Sequence, residues 1–252
     1  MSPILYSVAG GIGRIALNRP DKRNALNDEL ISGLKHHLRE AASDAAVKVI
    51  AIAGEGKDFC SGADLAGLEK MFDATVLDHM HGARQMAEAF LAMRRCPKPV
   101  VALVKGKALA GGCGLATACD LILAADTAQF GYPEVNIGFV PAMVMAILRR
   151  NLGEKLAFEL IAGGEPVSAA RAREIGLVNQ VYPEADFDAR AAEYLAKLAG
   201  KSASAMLLSK NLLYQMDGMS FEAALESGVH MNAIARLTPD MKKGIEKFLK
   251  RG

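Results

Sequence analysis

Residues 104–134 read VKGKALAGGCGLATACDLILAADTAQFGYPE, and the fold turns on how this stretch is read. A strand ends near Val104, the adjacent glycines Gly111 and Gly112 lead into a short helix of small residues, and DLILAAD (120–126) is the next strand. A third glycine, Gly114, stands inside that helix, where glycine costs roughly 1 kcal/mol against alanine. An extended piece at Phe130 then delivers one carboxylate, Glu134, behind a proline on a turn. Strand, glycine-led helix and strand at this spacing favour an α/β core with parallel strands.

The flanking sequence extends the same pattern. PILYSVAGGIGRIALNRP (3–20) reads as a hairpin around a Gly-Gly turn. NDELISGLKHHLREAASD (27–44) is an amphipathic helix with Asn27 as its N-cap. VKVIAIAGEG (47–56) is a buried strand, residues 75–95 have helical period, and PKPVVALVKG (97–106) is a strand with prolines at its start. After about Asp186 the character changes. ARAAEYLAKLAG, SAMLLSKNLLYQM and SFEAALESGVHMNAIARL are helical patterns with short breaks and no strand signal. We expect a core over 1–186 and a helical region over 187–252 that docks on the core or on another subunit.

Composition narrows the class. The 252 residues are 51% hydrophobic and 23% charged, enough for a large core. A net charge of +2 without a run of one sign gives no electrostatic case for nucleic acid or a membrane surface. The four cysteines, Cys60, Cys96, Cys113 and Cys119, show no CxxC pairing and lie in apolar stretches, so buried free thiols are expected. The start lacks a secretory pattern and no apolar run approaches the ~20 residues of a membrane span, so a cytoplasmic protein is expected. GGIGRIA lies in a hairpin turn and is no dinucleotide fingerprint. His36 and His37 are helix neighbours, which should not face one ligand together. No nicotinamide, flavin or metal signature stands out.

The glycines have a chemical reading. A helix start offers unpaired N–H groups and the positive end of the helix dipole. A second donor is available in GEGKDFCSGADLAGL (54–68), where Ser61, Gly62 and Ala63 lie between a strand and a helix-like segment. Two such N–H groups converging on one point make an oxyanion hole, and small side chains let a ligand reach the main chain. On spacing alone, Gly-Gly at a strand-to-helix turn is more often just a turn.

FCSGADL, GKALAGGCGLATACDLILAA, FGYPEVNIG, GEKLAFELIAGGEPVSAARAREIGLVNQV and LNRPDKRNAL together resemble the crotonase (enoyl-CoA hydratase/isomerase) superfamily, in that family's order over most of residues 10–182. The resemblance implies a core of repeated β-β-α turns, C-terminal helices that build homotrimers or hexamers, and an acyl-CoA thioester ligand whose coenzyme A belongs to the substrate, with no separate cofactor. It puts the thioester oxygen on the N–H groups of Ala63 and Gly111. Ser61, Gly62, Asp64, Leu65 and Ala66 would line the adenine and pantetheine. Lys22 and Arg23 would meet phosphates, with Lys247 and Lys250 of the tail as further candidates.

Glu134, with Pro133 before it, matches one of the family's two catalytic glutamates; the other position is Gly114 here, a substrate-side position one helical turn after Gly111. A side chain there is expected to lean over the reacting acyl group. One carboxylate suits a proton shuttle that shifts a double bond, and it can also run hydration by taking water's proton and returning it to carbon. A second departure is GFVPAMVMAILRR (138–150), where apolar Val140, Ala142, Met143, Val144 and Met145 replace a glycine-rich stretch. They either shape an acyl pocket or pack in the core. His79, His81 and Glu69 are reserve proton carriers. Hydratase is the leading reading, with isomerase, thioester hydrolase and a non-catalytic CoA-ester-binding or RNA-binding protein as alternatives.

Overall fold

The computed structural model of the chain describes residues 2–250. Strands β1 (Ile4–Ala9) and β2 (Ile12–Leu17) form the hairpin, and Gly10 (φ 56°) and Gly11 (φ 81°) supply the left-handed turn that a two-residue connection needs. β3 (Val49–Gly54), β4 (Val100–Val104), β6 (Leu121–Ala125) and β9 (Gln180–Tyr182) extend it into a six-stranded sheet ordered β1-β2-β3-β4-β6-β9, parallel throughout after the first pair. A smaller sheet joins β5 (Lys107–Leu109), β7 (Gln129–Gly131) and β8 (Val167–Ser168) in the order β5-β7-β8.

Strand alternation splits the main sheet's side chains between two layers. Ile15, Leu17, Ile50, Ile52, Val100, Ala102, Ile122 and Ala124 face the larger core, shared with α1 (Asp28–Ser43) and α3 (Val76–Arg95). Val49, Ala51, Val101, Leu123 and Ala125 face the other way, onto Phe187, Ala191 and Leu195 of α8 (Phe187–Ala199). Both faces being covered explains the unbroken apolar strands. The first helix beyond Asp186 thus packs directly on the sheet. Asn27 caps α1 as expected, accepting the Leu30 N–H at 3.0 Å.

The rest of the tail is α9 (Ala203–Gln215), α10 (Phe221–Arg236) and α11 (Pro239–Leu249). α9 docks through charge. Lys210 is buried, and its Nζ donates to Asp120 Oδ2 (2.7 Å) and to the carbonyls of Met93 (2.9 Å) and Lys98 (3.0 Å). The Tyr214 hydroxyl donates to Asp120 Oδ1 at 2.6 Å. A buried ion pair is tolerable only when its remaining valences are met in this way. α10 and α11 pack on α9 and on each other, and neither has a buried residue. All four cysteines are buried free thiols.

Candidate functional site

Three chain segments run side by side in one register. Cys60 forms a parallel bridge with Ala108, and Ala108 pairs with Phe130 across β5 and β7. The Cys60 N–H donates to Lys107 O (3.0 Å), Leu109 N–H to Cys60 O (2.9 Å) and Ala110 N–H to Gly131 O (2.8 Å). Ala63 and Gly111 stand three residues beyond this row on the first two segments, and Glu134 stands four beyond it on the third. Shared register therefore lays the three segments that carry the expected catalytic positions side by side, although they lie far apart in sequence.

The two donors are free. Leu26 bridges Ala63, with the Leu26 N–H donating to Gly62 O (2.7 Å) and the Asp64 N–H to Leu26 O (3.0 Å). Extended backbone alternates its N–H groups, so that of Ala63 points away from Leu26. Gly111 is the first residue of α4 (Gly111–Ala118), where N–H groups have no intrahelical acceptor. Among the described residues, neither N–H donates a hydrogen bond. A Cβ placed on Gly62 would lie 3.3 Å from the Gly111 nitrogen and 2.7 Å from the Ala110 Cβ, so the two donor segments touch. Gly62 also has φ +96°, and so is glycine on both counts.

The loop before α4 is strained. Ala110 has φ 51° and ψ −128°, a conformation that costs a non-glycine residue on the order of 1–3 kcal/mol. Its N–H is held by Gly131, and its carbonyl accepts the Gly114 N–H at 3.0 Å. Gly112 is required sterically, since a Cβ there would lie 2.2 Å from the Cys60 carbonyl oxygen. Gly111 is roomier, its added Cβ meeting Leu26 Cδ1 at 3.3 Å and Met86 Cε at 3.5 Å.

Glu134 lies in a 3₁₀ turn, Pro133–Ile137, and is 8% exposed. Its Oε2 is buried without a hydrogen-bond partner among the described residues. Burial pushes its carboxyl above the usual carboxylate range, only partly offset by its own backbone N–H. The turn is pinned from beneath: Tyr132 is fully buried, and its hydroxyl lies 3.0 Å from Thr117 Oγ1, which donates to Cys113 O at 2.7 Å. Glu134 is thereby tied to the helix that carries Gly111. Burial raises the neighbouring Cys113 thiol to about 11 and lifts the Tyr132 phenol as well, so both stay neutral near pH 7.

The candidates for the CoA side lie on two adjoining loops and on the far end of the tail. The Arg23 carbonyl accepts the Ser61 N–H at 3.0 Å, laying the exposed Lys22–Arg23 loop along Ser61, Gly62, Ala63 and Asp64, with Leu65 and Ala66 opening the short helix α2 (Leu65–Glu69). Lys247 and Lys250 are exposed at the end of α11, which packs on α9 and α10. His79, His81 and Glu69 are exposed.

Two expectations change. The space beside Gly114 is not open over a reacting group, because a Cβ there would meet Val144 Cγ1 at 2.0 Å. Val144 is buried on α5 (Ala142–Asn151), Met143 is half-buried, and Val140, Ala142 and Met145 are exposed. His36 and His37 do reach one partner: Glu40 Oε2 lies 3.9 Å from His36 Nε2 and 2.8 Å from His37 Nδ1. Glu40, one turn further along the helix, is within reach of both rings, which the spacing of the two histidines alone does not reveal.

Sequence reasoning also passed over the clamp behind Ala63. Arg19 donates to the Ala25 carbonyl (2.5 Å) and to Asp64 Oδ2 (2.9 Å), and this contact holds the Asp64 carboxyl below its usual range. Asn24, fully buried at φ 55°, accepts the Arg19 N–H (2.9 Å) and donates to the carbonyls of Glu55 and Asp58. The available signal was an Asn in a proline-led turn, a residue type enriched in left-handed backbone.

Residues 7–252 match the Enoyl-CoA hydratase/isomerase family. The 2,3-dehydroadipyl-CoA hydratase of Escherichia coli is 34% identical over 253 residues, covering 100% of this chain and 97% of that one. Among solved structures, an enoyl-CoA hydratase of Mycobacterium smegmatis superposes with a TM-score of 0.94 at 31% identity, covering 99% of this chain and 96% of its own. Human enoyl coenzyme A hydratase domain-containing protein 3 does so with 0.94 at 30% identity, covering 99% and 98%. The chain belongs to the enoyl-CoA hydratase/isomerase family and has the crotonase fold. No helix among the described residues is long and apolar enough to cross a membrane.

Proposed function

We propose that this protein is an enoyl-CoA hydratase in which Glu134 is the only acid/base. The observation that supports the reading is that two unpaired N–H groups and one buried, unpartnered carboxylate lie on segments that share one register. The thioester oxygen accepts from Ala63 and Gly111, and the negative charge that develops there is stabilised by donors already in place. Glu134 takes a proton from water as its oxygen bonds to the β carbon, and the π electrons move onto the thioester as an enolate. The same carboxyl returns that proton to the α carbon, giving a 3-hydroxyacyl-CoA. Burial favours the proton-carrying state of the cycle by raising the carboxyl's affinity for it.

Coenzyme A enters as part of the substrate, with no separate cofactor: the nucleotide and pantetheine lie along Ser61–Ala66, and Lys22 and Arg23 meet the phosphates. Leu26, Met86 and Phe90 give the wall beside α4 an apolar surface, which suits an apolar acyl chain. Isomerisation is the second reading, favoured by the single carboxylate: Glu134 would remove a proton from one carbon of the acyl group and return it to another without water. The protein works in the cytoplasm as a homotrimer or a pair of trimers. The apolar stripe of Phe221, Leu225 and Val229 on α10 supports assembly. The division into a core (1–186) and a helical assembly region (187–252) belongs to this same reading.

The test is the absorbance of crotonyl-CoA and a panel of longer 2- and 3-enoyl-CoA esters, with products identified by mass in deuterated water. Loss of the enoyl absorbance with 3-hydroxyacyl-CoA formation is expected. Deuterated rearranged enoyl-CoA without hydroxyacyl product would make the enzyme an isomerase. No turnover across the panel would sink both.

A further inference from the structure

Gly114 is not glycine for the sake of its backbone. It lies in the interior of α4, outside the left-handed region, where alanine would gain roughly 1 kcal/mol of helix preference. What requires glycine is a neighbour. A Cβ at this position would stand 2.0 Å from Val144 Cγ1, 3.1 Å from Val144 Cβ and 3.4 Å from Phe90 Cζ. Val144 is 4% exposed and reaches across from α5, so it has nowhere to retreat without opening the α4–α5 contact. At Gly111, one turn earlier on the same face, the nearest atoms are the ends of Leu26 and Met86 at 3.3 and 3.5 Å. The two glycines therefore answer to different demands: Gly111 to access for a ligand, Gly114 to a valine.

We infer that Val144 is the specificity-determining residue that keeps this site to one proton carrier: positions 114 and 144 share one volume, and the valine denies α4 any acid–base side chain beside the Gly111 donor. This rests on the acyl-CoA reading above for its chemical half and on packing alone for its steric half. The side chains nearest the two positions, Val144 and Phe90 at Gly114 and Leu26 and Met86 at Gly111, carry no titratable group. The neighbouring Cys113 and Tyr132 are held neutral by burial. Glu134 is thus left to make and receive every proton transfer. The valine also fills space in which a second ordered water would need polar partners, and an apolar lining supplies none.

The experiment is a double-mutant cycle with two readouts, melting temperature and product formation from crotonyl-CoA. Gly114→Ala alone should melt several degrees below the parent, because its Cβ displaces Val144. Val144→Ala alone should lose less, and the double variant should melt above Gly114→Ala. Such coupling is the mark of two residues sharing one space. Additive melting shifts, or a Gly114→Ala protein with the parental melting temperature, would overturn the pair. For the chemical half, Gly114→Glu is made with valine and with glycine at 144. Hydration should rise roughly tenfold or more on adding the carboxylate in the Val144→Gly background, the low end of what a positioned acid/base supplies. With Val144 intact it should not rise. An equal gain in both backgrounds, or in neither, would overturn the assignment of Val144. A parent inert toward every enoyl-CoA would instead overturn the catalytic reading, while the melting cycle would still decide the steric one.

Discussion

α4 and α10 are both apolar helices, and the structure treats them in opposite ways. In α4 every residue from Gly112 to Ala118 is buried, and three glycines bring its backbone against Cys60, Leu26 and Val144. In α10 no residue is buried, and Phe221, Leu225 and Val229 stand 73%, 57% and 61% exposed. α4 has small side chains because other parts of the same chain must reach its main chain. α10 has large side chains on an open stripe, the composition of a surface that meets another protein. Apolar content alone does not separate these roles, but side-chain size does.

The sharpest test at the α4 end is Glu134→Gln. The folded state raises this carboxyl's pKa, so the native chain keeps its proton to higher pH than the unfolded chain. Stability consequently falls as pH climbs from the ordinary carboxylate range through the raised value. Glutamine removes that penalty. At pH 7 the variant should melt no lower than the parent, while turnover drops about 100- to 10,000-fold. In the parent, the acid limb of the pH–rate profile should sit above the usual carboxylate range. Undiminished turnover would falsify the single-carboxylate mechanism.

Next in size is the contrast between adjacent glycines. Gly111→Val should remain folded, because the atoms nearest the new Cβ are the ends of flexible side chains, with backbone no closer than 4.0 Å. Turnover should still fall about 100-fold, the scale of one lost oxyanion donor. Gly112→Ala should act on folding instead, since its Cβ meets a backbone carbonyl at 2.2 Å. Its overpacking cost should be at least about 1–3 kcal/mol. Thermal melts and steady-state kinetics on both proteins separate the two. The reverse pattern would mean that the roles of the pair have been exchanged.

A smaller effect is expected from Arg19→Ala, which releases Asp64 next to Ala63. The Asp64 carboxyl is lowered, chiefly by its hydrogen bond to Arg19. The pair's stabilisation is therefore present above the unfolded carboxylate pKa and fades as pH falls through the lower folded one. The variant should melt about 2–4 °C below the parent at pH 7, the shift of roughly 1 kcal/mol in a chain of this size. That gap should narrow in acid, leaving the share that belongs to the bond from Arg19 to the Ala25 carbonyl. Turnover should drop less than for Gly111→Val, because the Ala63 N–H loses its support and not its existence. A gap that is constant with pH would rule out the ion pair as its cause.

These outcomes follow from features of unequal visibility in the sequence. The hairpin was legible because Gly10 and Gly11 sit between alternating strands, and α1 because Asn27 precedes an apolar stripe. The helix start at Gly111 was legible in the same local way. β5 and β8 were not, since three and two residues carry no periodicity. The row Cys60–Ala108–Phe130 that gathers the site is a product of tertiary register, which no local pattern encodes. Gly114 was conspicuous, but its reason was Val144, thirty positions later on another helix. Lys210 likewise reads as a surface charge in a tail helix until Asp120 is found 2.7 Å from it. Local backbone demands leave marks at one position, whereas packing demands are shared between distant ones.

The smallest effect on turnover is expected at α10, where it separates assembly from chemistry. Phe221, Leu225 and Val229 recur at four-residue spacing, so they form one stripe, and the exposed Leu237, Phe248 and Leu249 of the neighbouring segments add to the apolar surface. In a ring of three copies a stripe of this kind is covered by a different surface of the neighbouring copy, and where two rings pair across a two-fold axis it can meet its own counterpart. Light scattering at micromolar concentration should give a trimer or a hexamer for the parent. Leu225→Glu with Val229→Glu places charges where desolvation is required, and the mass should fall toward that of one chain. Because α9 is held to the core by Lys210, Asp120 and Tyr214 and not by these exposed side chains, the fold and the site should survive. Turnover per chain should then change less than in any variant above. A parental monomer would make the stripe simply exposed and erase the contrast with α4. A monomeric double variant that has lost all turnover would show instead that the site is completed by a neighbouring copy.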